Sequence, residues 1–145
     1  MSGNWQSLND FGFHESDLDG RYAAEYFSGL DREQAQRKFL ADPSRYLEYL
    51  MRVSGDPFRF YFGVVICSMR ETPLSILGSK AVSEFLGWVS WKMSLDLLDI
   101  VPFASDILII CDLVSKWDVT EQYENYVAYR IPKKVDRLRS VLKNL

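Results

Sequence analysis

The chain has 145 residues, of which 48% are hydrophobic and 26% charged, with a formal net charge of −3. That length and balance suit one globular domain with its own core, and exclude a disordered chain or one that needs a disulfide framework. The acidic balance speaks against nucleic acid, whose phosphates demand a basic surface.

The first sixteen residues, MSGNWQSLNDFGFHES, show no helical periodicity and are expected to be irregular. They hold neither a basic start nor an apolar run, so they are not read as a signal peptide, and the protein is placed in the cytoplasm. From residue 17 a helical pattern begins. Leu18, Tyr22, Tyr26 and Leu30 fall four apart, the spacing of one helix face, which predicts a helix over 17–29. Asp31 and Gln34 resemble a capping box, with Asp in the usual Ser/Thr place, and start a helix over 32–41.

Asp42-Pro43, Asp56-Pro57 and Thr72-Pro73 share one logic. Each joins a side chain able to accept from free first-turn amides to a proline that has no amide to lose there. They predict helices over 43–53, 57–69 and 73–100. Tyr46, Leu47, Leu50 and Met51 supply the apolar stripe of the first. The second, PFRFYFGVVICSM, is rich in aromatic and β-branched residues and competes with a strand, but its Asp-Pro start decides for a buried helix.

The 73–100 helix is expected to be the long central element of a compact, all-α, multi-helix bundle. It is apolar nearly all round, the pattern of a buried helix. Ser75, Ser79, Ser83, Gly87, Ser90 and Ser94 project within roughly a quarter of its circumference. The expectation is that a neighbouring helix packs closely on this stripe; the alternative is a shallow groove that receives a partner. Gly78 and Gly87 lie inside the pattern, where a kink can form. Glu84, Lys92, Asp96 and Asp99 interrupt the apolar region and oppose membrane insertion.

Further helices are predicted over 105–116, 119–130 and 133–144. Asp118 and Glu121 resemble a second capping box, YVAYRI at 126–131 carries some strand character, and Val135, Leu138, Leu142 and Leu145 form a closing stripe. No linker, repeat or low-complexity tract interrupts the chain, so 1–145 is expected to form a single helical domain with 1–16 irregular.

Chemistry-bearing motifs are scarce. His14 is the only histidine, beside Glu15, and no HExxH, GxSxG, GxGxxG or GxxxxGK[ST] occurs. Cys67 and Cys111 sit in apolar runs without basic neighbours in sequence and are expected to be inert, buried thiols. Asp96, Asp99, Asp106 and Asp112 form the one acidic constellation. Carboxylates can hold a hard cation such as Mg²⁺, but pairing of Asp96 with Lys92 and Asp112 with Lys116, and Asp106 leading its helix, accounts for them more simply. No catalytic residue, cofactor or metal site is assigned.

The expected function is therefore non-enzymatic: a protein-binding module that inhibits or neutralises its partner, as immunity proteins and phage-encoded inhibitors do. The excess of aromatic residues fits this, because Tyr and Trp are favoured at interfaces. Two contact regions are expected. One is the acidic N-terminal stretch, with Asp10, Glu15, Asp17 and Asp19 near Trp5, Phe11 and Phe13, suited to a partner with a basic surface. The other is Tyr123, Tyr126, Tyr129 and Arg130. A small helical enzyme using Asp96, Asp99 and Asp106 with a divalent metal, and a self-associating helical module, are the alternatives.

Overall fold

The computed structural model describes Phe11, residues 18–117 and residues 125–145, with side chains from Arg130 onward in the last stretch. Regular structure among these residues is entirely helical. In chain order the elements are α1 (Leu18–Phe27), α2 (Arg32–Ala41), α3 (Pro43–Leu50), α4 (Gly55–Glu71), α5 (Leu74–Leu77), α6 (Ser79–Leu95), α7 (Leu97–Ile100), α8 (Ala104–Lys116) and α9 (Asn125–Leu142), with a 3-10 turn at Val101–Phe103. The all-α class is thus what the chain adopts, and both segments with strand character, 57–69 and 126–131, are helical. No described helix is long and apolar enough to cross a membrane. Contacts divide the chain into two units, Met1–Ser68 and Met69–Leu145, the boundary falling inside α4.

Local capping chemistry explains the first three helices. The Asp31 side chain accepts from the Gln34 amide at 2.8 Å, and the Gln34 side chain accepts from the Asp31 amide at 2.9 Å, a complete capping box. Asp42 caps α3 by accepting from the Arg45 amide at 3.2 Å, with Pro43 at the first helical position. The other two cap–proline pairs behave differently. Asp56 lies within the first turn of α4, which begins at Gly55; first-turn amides are free in any case, so Pro57 is accommodated inside that turn. Pro73, not Thr72, stands at the N-cap of the short α5, and no side chain caps it.

The first unit is held by aromatic side chains. Phe27, Phe39, Tyr46, Phe58, Tyr61 and Phe62 are fully buried. Phe27 stacks on Tyr61 with centroids 4.7 Å apart and meets Tyr46 edge-on at 4.9 Å. The buried hydroxyls are satisfied. Tyr46 donates to the Tyr61 carbonyl at 2.9 Å, and the Tyr61 hydroxyl sits 2.9 Å from both the Phe27 and Leu30 carbonyls. These bonds pin the end of α1 and the side of α3 onto α4. Between Phe27 and Leu30 the chain turns through Gly29 at φ 77°, a left-handed conformation that suits glycine. The expected face of α1 is not the buried one: Leu18 and Tyr22 are exposed, while Gly20, Ala23, Ala24 and Phe27 turn inward. Small residues let α1 approach its neighbours closely, and Phe27 fills the space that remains.

In the second unit, α9 packs against both α6 and α8. The core is mostly aliphatic, with Val82, Leu86, Val89, Ile100, Ile107, Ile110 and Leu138 around Phe85. The expected long helix over 73–100 does not form. Gly78, at φ 91° and ψ 156°, separates α5 from α6, and Asp96, at φ −149° and ψ 79°, separates α6 from α7. Conversely, the break expected before Pro132 is absent, because α9 runs through it. A proline inside a helix costs about 3 kcal/mol. Ile131 and Val135 flank it, each 2% exposed, so burial of the α9 face holds the helix together across the proline. Val135, Leu138 and Leu142 of the closing stripe are buried, and Leu145 is exposed. The predicted start at 119 lies outside the described residues.

Candidate functional site

The small-residue stripe has two different fates along α6. Ser79 and Ser83 are buried. Lys134 of α9 closes over Ser83, its Nζ donating to the Ser83 Oγ at 2.7 Å and lying 3.1 Å from the Ser83 carbonyl. A Cβ at Gly87 would come within 3.4 Å of the same Nζ, so the lysine tip reaches the glycine as well. Burial lowers the Lys134 pKa, the nearby Arg130 charge lowers it further, and Glu84 opposes both. Beyond this clamp the two helices leave an open groove of about 590 Å³. Gly87, Ser90, Trp91, Met93 and Ser94 line it from α6, and Arg137 and Val141 from α9. The packing expected on the stripe therefore holds at its first half, and the groove lies at its second. Ser75 is in α5, outside both.

The groove combines apolar surface with charge. Trp91 is 37% exposed and meets Trp88 edge-on at 5.6 Å, which fixes the indole orientation. Val141 on the opposite wall is 41% exposed. Arg137 is exposed, and no described carboxylate lies within ion-pair distance of it. The volume lies within the roughly 300–1,000 Å³ of ligand pockets.

The acidic constellation is tied up in structural pairs. Asp99 lies 3.7 Å from Lys92, with side-chain exposures of 4% and 6%. Asp106 accepts from Arg70 at 2.6 Å, and Asp112 accepts from Arg139 at 2.7 Å. Asp96 terminates α6. The pairing expected for Asp112 with Lys116 is thus replaced by a tertiary one with Arg139, and Lys92, on which the Asp96 charge acts, meets Asp99 across the break between α6 and α7. Among the described residues no three His, Cys, Asp or Glu side chains are grouped to hold a metal ion.

The cysteines differ from each other. Cys111 is fully buried, and burial pushes its thiol pKa up to about 11. Cys67 is only half-buried, and Arg32 Nη2 donates to its Sγ at 2.9 Å. The basic neighbour missing from the local sequence comes from α2, 35 residues earlier.

Of the contact residues nominated by sequence, Phe11 is buried and stacks on Tyr61 at 6.4 Å, so it packs within the first unit. Asp19 is exposed in the first turn of α1. Arg130 is exposed on α9, one turn before Lys134. Trp5, Asp10, Phe13, Glu15, Asp17 and Tyr123, like His14, lie outside the described residues, as do the side chains of Tyr126 and Tyr129. Sequence reasoning did not select Trp91, Met93, Arg137 or Val141 as a group. The Gly87–Ser94 half of the small-residue stripe was the one signal that pointed to their location.

No protein-family model, curated protein or solved structure matches this chain.

Proposed function

We propose that this chain is a non-enzymatic protein-binding module that inhibits or neutralises a partner protein, in the manner of an immunity-type or phage-type inhibitor, and that the partner docks in the α6–α9 groove. The observation that carries this reading is the groove itself, an open channel with a half-exposed tryptophan, a methionine and an arginine on its walls. Tryptophan and arginine are enriched among residues that dominate binding energy, and methionine adapts to irregular partners. The cation pairing of Asp99, Asp106 and Asp112 supports a structural role for those carboxylates over the metal-enzyme alternative.

Affinity capture from the source cell, run in parallel with wild type and Trp91→Ala, tests the reading. The expected result is a protein retained by wild type, lost with the variant, and reduced in its own activity when wild type is added. Identical capture by both chains, or an unaffected activity, overturns it. A self-associating module is favoured by a separate observation, the exposed Ile109 and Leu113 one turn apart on α8. Light scattering decides it, since a concentration-dependent dimer lost in Leu113→Lys is the outcome that reading requires.

A further inference from the structure

Asp106, Ile109, Leu113 and Lys116 follow one another along α8 as acid, apolar, apolar and base. At 100° per residue they fall within roughly a quarter of the helix circumference. Ile107, Ile110, Cys111 and Val114 take the inward side and are buried, whereas Ile109 and Leu113 are each 41% exposed. Asp106 accepts from Arg70 through Oδ1, and 35% of its side chain stays exposed. A carboxylate has lone pairs for further donors, so it can take a second cation. Lys116 is exposed at the other end of the row, and no described carboxylate lies within ion-pair distance of it. The helix rises about 15 Å between Asp106 and Lys116, so the two do not meet within one chain. A cavity of about 390 Å³ adjoins the row, bounded by the end of α4, by α5 and by α8. Met69, Pro73, Leu74 and Trp117 are among its lining, and Leu113 and Lys116 reach it from α8.

We infer that the outer face of α8 is the contact of a symmetric homodimer, covered by α8 of a second copy running antiparallel. A two-fold axis level with Cys111 sets Ile109 of each copy against Leu113 of the other. The same axis brings Lys116 of each copy level with Asp106 of the other, because the two lie equally far from Cys111 on opposite sides. Such an interface is isologous, so each contact occurs twice. Ile109 of the second copy, beside Leu113, then lies next to the cavity that Leu113 lines. A parallel pairing sets Asp106 against Asp106 and Lys116 against Lys116, and like charges so placed oppose association. The row is thus complementary to itself in one orientation and not in the other. None of the residues lining the α6–α9 groove belongs to α8, so the two surfaces are distinct.

This inference rests on the self-association reading above and adds the orientation of the copies and the charges that select it. The test uses the full chain with Cys67→Ser, which removes the half-buried thiol. Ile109→Cys and Leu113→Cys chains, distinguished by a mass tag, are mixed in equal amounts and mildly oxidised. The mixed disulfide between the two variants should form at least about tenfold faster than either disulfide between like chains, since only residues level with each other come within bonding reach. In sedimentation equilibrium over a concentration series, Lys116→Glu should weaken the wild-type dimer roughly tenfold, because it acts at two equivalent contacts. Added salt should shrink that difference, and Leu113→Lys should give monomer. A wild-type chain that stays monomeric throughout the series overturns the inference and the self-association reading together. A dimer that survives Leu113→Lys overturns the α8 contact. A dimer lost in Leu113→Lys but cross-linking fastest between like chains, or indifferent to Lys116→Glu, overturns the antiparallel pairing and leaves self-association through α8 standing.

Discussion

The two units solve the same problem, burial of helix faces, with different materials. In Met1–Ser68, large aromatic side chains fill the interior, and their hydroxyls end on backbone carbonyls of neighbouring elements. In Met69–Leu145 the interior is aliphatic, and polar groups are drawn inside it: Ser79, Ser83, Lys92 and Asp99 are all buried. The surfaces differ in step. Leu18, Tyr22 and Leu40 are the exposed large apolar residues described in the first unit, whereas the second exposes Ile76, Trp91, Leu95, Leu98, Val101, Ile109, Leu113, Val141 and Leu145. An aromatic ring buries a large area and leaves little apolar surface behind. Scattered exposed apolar residues are ordinary; Trp91 and Val141 differ in lining one groove together, which is why the docking proposal is placed there.

The comparison is most sharply tested where each unit is expected to break. Phe27→Ala should cost about 3–5 kcal/mol by removing a fully buried ring from the first unit. Asp99→Ala should cost a similar ~3–5 kcal/mol in the second, because it strips the buried Lys92 ammonium of its carboxylate. Trp91→Ala, in the groove, should cost less than ~1 kcal/mol. Chemical denaturation measures all three. If Trp91→Ala proves as damaging as Phe27→Ala, the indole belongs to the core and the contrast between the units fails.

Alkaline pH should move the units in opposite directions. Burial raises the pKa of Tyr26 to about 12, aided by the Asp42 charge, and raises those of Tyr46 and Tyr61 as well. The folded state holds these protons more tightly than the unfolded one. The stability they contribute is complete below pH 10 and is lost as pH rises through the folded values. Lys92 and Lys134 have pKa values lowered mainly by burial. Their penalty, present while both states are protonated, is relieved as pH rises toward the ordinary 10.5. Lys38 in the first unit and Cys111 in the second oppose the trend of their own units. The denaturation midpoint of the first unit should therefore fall above pH 10, together with a late rise in tyrosinate absorbance. Tyrosinate appearing at the ordinary phenol value, with no loss of stability, would show that the aromatic core is not sealed.

Thiol labelling sharpens the contrast further. Cys111 should react only when the second unit opens, and Cys67, half-buried beside Arg32, should react faster in the folded chain. Equal native rates would contradict the assigned burial. The smallest expected effect is at Gly87. Alanine there meets only the flexible end of Lys134, and it should stabilise the helix by roughly 0.5–1 kcal/mol. A loss of stability instead would mean that the groove end of α6 is tighter than its 590 Å³ opening implies.

Much of the fold was legible in the sequence because the signals concerned are local. Asp31 with Gln34 and Asp42 with Pro43 act within a single turn, so the starts of α2 and α3 follow from residue type and spacing alone. The stripe of Tyr46, Leu47, Leu50 and Met51 likewise has one face to bury, and buries it. Tertiary structure decided what local rules leave degenerate. Gly78 can remain helical or turn to positive φ, and Pro132 can end a helix or be carried within it; packing made the opposite choice at each. The inward face of α1 was decided by close approach, which favours Ala23 and Ala24 over the longer Leu18 and Tyr22. The charge partners belong to the same class. Asp112 meets Arg139 and Cys67 meets Arg32 because helices distant in sequence bring them together, and Lys92 meets Asp99 because the chain breaks at Asp96 between them. The groove required two such helices at once. Spacing along α6 shows where small residues lie, but only the position of α9 determines that Lys134 seals one half of the stripe and that Arg137 and Val141 leave the other half open.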